Sequence, residues 1–106
     1  MKQDLNVGDK VCWYTAKHNK FLIYECEVVE IHNEKYLDFK DGHHGKRRLS
    51  RTKFGEIQNG VSLWLTERND EMAKSMFIEY GQEFISKLQK QIDDRLKLIE
   101  LMNESI

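Results

Sequence analysis

The residues best suited to bind a ligand lie together between positions 43 and 53. The run His43-His44-Gly45-Lys46-Arg47-Arg48-Leu49-Ser50-Arg51-Thr52-Lys53 holds five Lys/Arg, two His and no acid. On a strand and its flanking loops, such a run makes a local positive patch of the kind that engages phosphate oxygens. Strand alternation places Lys46, Arg48 and Ser50 on one face and Arg47, Leu49 and Arg51 on the other. Leu49 marks its face as partly buried, which leaves three or four cations to meet a ligand together. Lys46, Arg47, Arg48, Arg51 and Lys53 are therefore the candidates for contact with nucleic acid or with an acidic partner. Trp13, Tyr14, Tyr36 and Trp64 offer rings on which bases stack in single-strand-binding barrels, although a small core must claim some of them. The same segment also reads as a solvated edge strand, where lysine and arginine block edge-to-edge aggregation. Both readings stand on the sequence.

Chemistry beyond binding is thinly represented. No nucleophile motif, phosphate loop, dinucleotide fingerprint or HExxH occurs. His43-His44 with Cys12 or Cys26 lacks the ligand spacing of a zinc site, and His18 and His32 read as loop residues. Cys12 and Cys26 sit in apolar strand-like runs, where a thiol is inert rather than nucleophilic. Glu25 and Glu27 point to one strand face and read as solvated. The expectation is a non-enzymatic protein with no catalytic residues, no metal and no cofactor.

The elements that must position the basic segment change character at Thr66. Before it, apolar residues come in short alternating runs. From Glu67 to Met102 they recur every three or four positions with one glycine, and the chain has no proline at all. In the first part, Lys10–Thr15 alternates Val11, Trp13 and Thr15 with Cys12 and Tyr14. Residues 16–20 form a polar loop, and Phe21–Ile31 is a long strand. Leu22, Tyr24, Cys26 and Val28 share one of its faces, and Val28-Val29 breaks the alternation as a bulge does. Lys35–Lys40 follows, then a hairpin-type turn at Asp41-Gly42. Lys46–Thr52 is a weaker strand, residues 53–60 read as a loop, and Val61–Leu65 closes the set. About five strands with frequent turn signals predict a small antiparallel barrel over residues 5–66.

The chain has 106 residues, enough for one modest core. Its net charge of −1 argues against membrane or nucleic-acid binding by bulk charge. Residues 1–66 carry eleven Lys/Arg against nine acids and residues 67–106 six against nine, so any electrostatic site is local. No secretory signal or membrane span is visible. The expected setting is cytoplasmic with reduced thiols. A Cys12–Cys26 disulfide between neighbouring strands is the alternative for an oxidising compartment.

Residues 67–104 form the helical region, with Thr66 or Asn69 as N-cap and Glu67, Asp70 and Glu71 at the positive end of the helix dipole. Gly81, which costs about 1 kcal/mol relative to alanine, marks the expected kink, so the region is one long helix or a helical hairpin. Met72, Met76, Phe77, Tyr80 and Phe84 are expected to pack on the barrel. Farther on, Ile85, Leu88, Ile92, Ile99 and Met102 are spaced as a heptad seam with Arg95 at one seam position. Leu96, Leu98 and Leu101 widen it beyond a simple two-stranded coiled coil. A continuous helix of about 36 residues would span roughly 54 Å, against about 25–30 Å for the barrel. The distal half must fold back or meet another chain, which makes a homo-oligomer the expected state.

The opening Val7-Gly8-Asp9-Lys10-Val11, the long bent second strand and the Asp38-Phe39-Lys40-Asp41-Gly42 turn resemble SH3-like barrels of the Tudor and KOW kind. The ending Val61-Ser62-Leu63-Trp64-Leu65-Thr66-Glu67, running into a helix, is similar to small SH3-like proteins of bacteriophages and prophages. The resemblance covers roughly residues 5–75. It implies an α+β fold and a phage accessory protein that docks on a protein or nucleoprotein target, such as an anti-CRISPR-type inhibitor of a host nuclease. Direct RNA or DNA binding through the basic segment and a purely structural homo-oligomer are the alternatives.

Overall fold

A computed structural model describes residues 5–41 and 45–105 of the chain. The expected turn at Asp41-Gly42 and the His43-His44 pair fall largely outside those residues. Among the described residues six strands are found: β1 (Lys10–Lys17), β2 (Lys20–His32), β3 (Tyr36–Lys40), β4 (Lys46–Ser50), β5 (Ile57–Gln58) and β6 (Ser62–Leu65). They form one sheet of order β4-β3-β2-β1-β6-β5, antiparallel at every pairing. The sheet curls into a half-barrel, and a single helix, α1 (Asp70–Glu104), follows it. The class is α+β.

The curl comes from β2. Its pairing with β3 shifts register between Val28 and Glu30, so Val29 is an extra residue that bends the strand. The first half of β2 thereby pairs with β1 and the second half with β3. Hairpin turns are set by backbone conformation. His18 and Asn19 have φ of 53° and 61°, as a two-residue turn between right-twisted strands requires.

Strand alternation sorts the apolar residues into two clusters. Val11, Trp13, Cys26, Val28, Leu37, Phe39 and Trp64 fill the inside of the curl, with Tyr24, Ile31, Leu49 and Phe54 packed against them. Cys12, Tyr14, Leu63 and Leu65 point the other way, where they meet Ala73, Met76 and Phe77 of α1. Cys12 and Cys26 belong to opposite clusters and are free thiols, so the disulfide alternative is excluded by the pleat.

Two expectations about the strands need correction. The fourth strand ends at Ser50, and Arg51–Lys53 turns into a short 3₁₀ segment whose first N–H groups are capped by the Ser50 side chain. The segment read as a loop over residues 53–60 contains β5, making six strands rather than five. At two residues, β5 is too short to leave a periodic signal. It is held by pairing Ile57 with Leu63 and Gln58 with Ser62.

The helix does not break. It runs 35 residues without interruption through Gly81, so the hairpin alternative falls and the single long helix stands. A mid-helix glycine costs only about 1 kcal/mol, less than the hydrogen bonds a break would forfeit. Asn69 is the N-cap, its side chain accepting the Met72 N–H at 3.1 Å. The molecule is 67 Å long and 29 × 25 Å across, so more than half of its length is helix with no barrel beside it.

Candidate functional site

The basic segment does not present one cationic face. β4 is an edge strand, and its alternation sends successive cations to opposite sides. On the outer side, Lys46 Nζ lies 3.0 Å from Glu30 Oε2 and 3.4 Å from Asp38 Oδ2. Arg48 Nε donates to Asp38 Oδ1 at 2.9 Å, and His32 Nε2 lies 2.8 Å from Asp38 Oδ2. Asp38 itself is only 2% exposed, because its own partners cover it. Hydrogen bonds from Arg48, then His32 and Lys46, hold its carboxyl well below the usual carboxylate range, against the opposing effect of burial. Glu30, His32 and Asp38 bring three possible metal donors within 4.8 Å of one another. Lys46 and Arg48 already supply the positive charge there, so the group is built as an ion-pair network.

On the inner side, the Arg47 guanidinium sits 4.4 Å over the Trp13 ring. Arg51 Nη2 reaches the Leu5 carbonyl at 3.5 Å, and Lys53 Nζ is 3.9 Å from Glu56. Lys46 and Arg48 thus share one carboxylate, and the other three candidate cations serve separate local contacts. Sequence reading missed Glu30 and Asp38 as the counter-charges of Lys46 and Arg48, although cross-strand pairing of Asp38 with Arg48 was the available signal.

Three of the four rings considered for base stacking are structural. Trp13 and Trp64 stack on one another inside the curl with centroids 5.4 Å apart, and both are buried. Tyr14 is wholly buried beneath the helix. Its hydroxyl donates to Asp70 Oδ1 at 2.9 Å and accepts the Asn69 N–H at 2.9 Å, tying β1 to the start of α1. Burial, then the bond to Asp70, pushes the phenol pKa up to about 12. Only Tyr36 is exposed.

The helix divides at its third turn. Ala73, Met76 and Phe77 pack on the outer cluster, and a Cβ at Gly60 would lie 3.3 Å from the Tyr80 ring, so the β5–β6 turn presses against that ring. Phe84, expected on the barrel, is 53% exposed, while Met72 and Tyr80 are only partly covered, at 39% and 40%. Beyond this point every residue from Gln82 to Ser105 is exposed. Ile85, Leu88, Ile92, Leu96, Ile99 and Met102 therefore stand on a free face, 43–65% exposed. The positions flanking the seam are Phe84, Gln89, Gln91, Leu96, Leu98 and Asn103, none of them charged. The charges of this stretch lie on the opposite side, Arg95 excepted.

Comparison with protein-family models, with curated proteins and with solved structures found no match to this chain. No helix among the described residues is long and apolar enough to cross a membrane.

Proposed function

We propose that this chain is a non-enzymatic binding module whose distal helix associates with a second copy and thereby presents two or more barrels as one assembly. The observation that carries this reading is the uncovered apolar face from Phe84 to Met102 on a helix that projects past its own barrel. Large exposed apolar patches on a folded domain mark contact surfaces. A second copy fits because the rows flanking the seam are uncharged, so no like charges oppose one another across them. The seam has Ile85, Ile92 and Ile99 in one register position and Leu88, Arg95 and Met102 in the other. A single polar residue in such a seam fixes register and partner number.

The barrel is proposed to be of the SH3-like kind, supported by the glycine turn before β1 and the bent, bulged β2. Resemblance to phage and prophage barrels supports placing the module among accessory proteins that dock on a larger target. The test is sedimentation of the full chain beside Ile99→Glu. The parent is expected to be oligomeric at micromolar concentration and the variant monomeric with the barrel intact. A parent that is monomeric up to hundreds of micromolar would remove the reading.

A further inference from the structure

The open mouth of the half-barrel holds a cavity of about 320 Å³ that the basic-segment reading does not describe. Its walls come from three places. The paired ends of β1 and β2 contribute Trp13 opposite Tyr24, Thr15 opposite Leu22, and Lys17 opposite Lys20. β6 adds Ser62, which pairs with Thr15. The edge strand β4 curls round to add Arg47 over Trp13.

The lining is chemically one-sided. Lys17, His18, Lys20 and Arg47 are basic, and no acid among the described residues lines the cavity, in a chain whose net charge is −1. No ion pair joins Lys17, His18 or Lys20 to a described acid. Lys17 and Lys20 are direct cross-strand partners, an arrangement of like charges that destabilises a hairpin. Between them His18 and Asn19 adopt the positive φ that a two-residue hairpin turn requires. The hairpin thus holds two ammonium groups on neighbouring strands against their own repulsion, and an anion seated between them would relieve it. Below the charges the floor is apolar and aromatic, made by Leu22, Tyr24 and the edge of Trp13. Arg47 stacked on an indole keeps the N–H donors in its plane available to an oxyanion.

We infer that the barrel mouth binds a nucleotide unit, its phosphate held by Lys17, Lys20 and Arg47 and its base laid against Leu22 and Tyr24. The volume is at the lower end of ligand sites, which run from about 300 to 1,000 Å³, and accommodates one such unit rather than a dinucleotide. Aromatic floors under cationic rims are the general solution for single-stranded nucleic acid, since every base has a face to stack. A free mononucleotide offers the same chemistry.

Fluorescein-labelled (dT)8 and (rU)8 titrated into the full chain at low salt, with UMP as competitor, separate the two sources. Octamer binding that resists excess UMP assigns the mouth to single strands, and full competition by UMP assigns it to free nucleotide. In either case tryptophan emission should change on binding, and log affinity for the octamer should fall with log salt at a slope of about −0.7, as neutralising one phosphate of a single strand requires. Lys17→Ala/Lys20→Ala should weaken binding at least tenfold and flatten that slope toward zero. Lys90→Ala, on the charged side of the distal helix and away from the mouth, should leave both unchanged. Circular dichroism of the hairpin variant shows that the barrel is retained. Absence of binding by octamer and UMP alike overturns the inference. So does binding that survives the hairpin variant.

Discussion

Tyr14 is the residue on which barrel and helix depend together. Its hydroxyl is buried, gives a proton to Asp70 and receives the Asn69 N–H, so removing one oxygen leaves a backbone donor without its acceptor. Tyr14→Phe is expected to cost about 1–2 kcal/mol, read as a fall of several degrees in Tm, with the isolated sheet signal in circular dichroism kept. The raised phenol pKa adds a pH dependence. Because the folded-state value exceeds the ordinary one near 10, the stabilisation is complete below pH 10. It is lost as pH rises toward about 12, and Tyr14→Phe should erase that alkaline loss. Asp38 works in the opposite direction. Its carboxyl is held low by Arg48, His32 and Lys46, so its contribution is present above about pH 4 and disappears only in stronger acid. Thermal melts of Asp38→Asn should therefore fall below the parent from pH 5 to 8, with the gap closing below pH 4. The thiols offer a third check. Burial chiefly pushes Cys26 up to about 12 and raises Cys12 as well. Neither should react with a disulfide reagent in the native protein at pH 8, while both should react in denaturant. Rapid native labelling of either would mean the sheet faces are not covered as described.

At the scale of elements, α1 is the part whose behaviour composition misleads. Gly81 has no atom within 4 Å of the position a Cβ would take, and its backbone is ordinary helix. Gly81→Ala should therefore stabilise the protein by about 0.5–1 kcal/mol, measured by chemical denaturation. A loss instead would show that the helix needs to bend there. The strands were legible where both neighbours and pleat left a signal: β1 and β2 by alternation, the bulge by two valines in succession. What escaped reading depends on contacts between distant residues. β5 exists only because Ile57 and Gln58 lie beside β6. Tyr14 looked available for stacking because its partners Asn69 and Asp70 are more than fifty positions away. The basic segment looked like one patch because Glu30 and Asp38, which divide it, lie on neighbouring strands. The mouth cavity escaped for the same reason, since Arg47 and the β1–β2 hairpin meet only when the sheet curls. The apolar stripe of α1, in contrast, needed only helical spacing, and it is the feature that sequence and structure describe in the same terms.

For the molecule as a whole, shape decides how copies meet. The Cα radius of gyration is 19.4 Å, whereas a compact domain of this length would have about 13 Å. The excess is the bare helix, which in isolation would be a marginal structure in water. Pairing in parallel and in register would set two Arg95 guanidinium groups against each other in the seam. Antiparallel pairing over residues 82–105 shifts them by only about 4.5 Å along the axis, but it puts the bulky barrels at opposite ends, with about 36 Å of helix shared. The antiparallel arrangement is therefore expected to give a particle roughly 95 Å long, against the 67 Å of a single chain. Small-angle scattering across a concentration series distinguishes the cases. A maximum dimension that grows well beyond 67 Å as mass doubles supports the antiparallel assembly, while doubled mass at unchanged length would indicate parallel helices. Thermal unfolding should follow the same equilibrium, with Tm rising with protein concentration because only the folded helix associates. In Ile99→Glu, whose position faces Leu88 of the second copy, that dependence should vanish, since a carboxylate in the seam cannot be buried without a partner. A parent whose Tm is flat from 1 to 100 µM would mean that the exposed stripe, however wide, does not bring copies together.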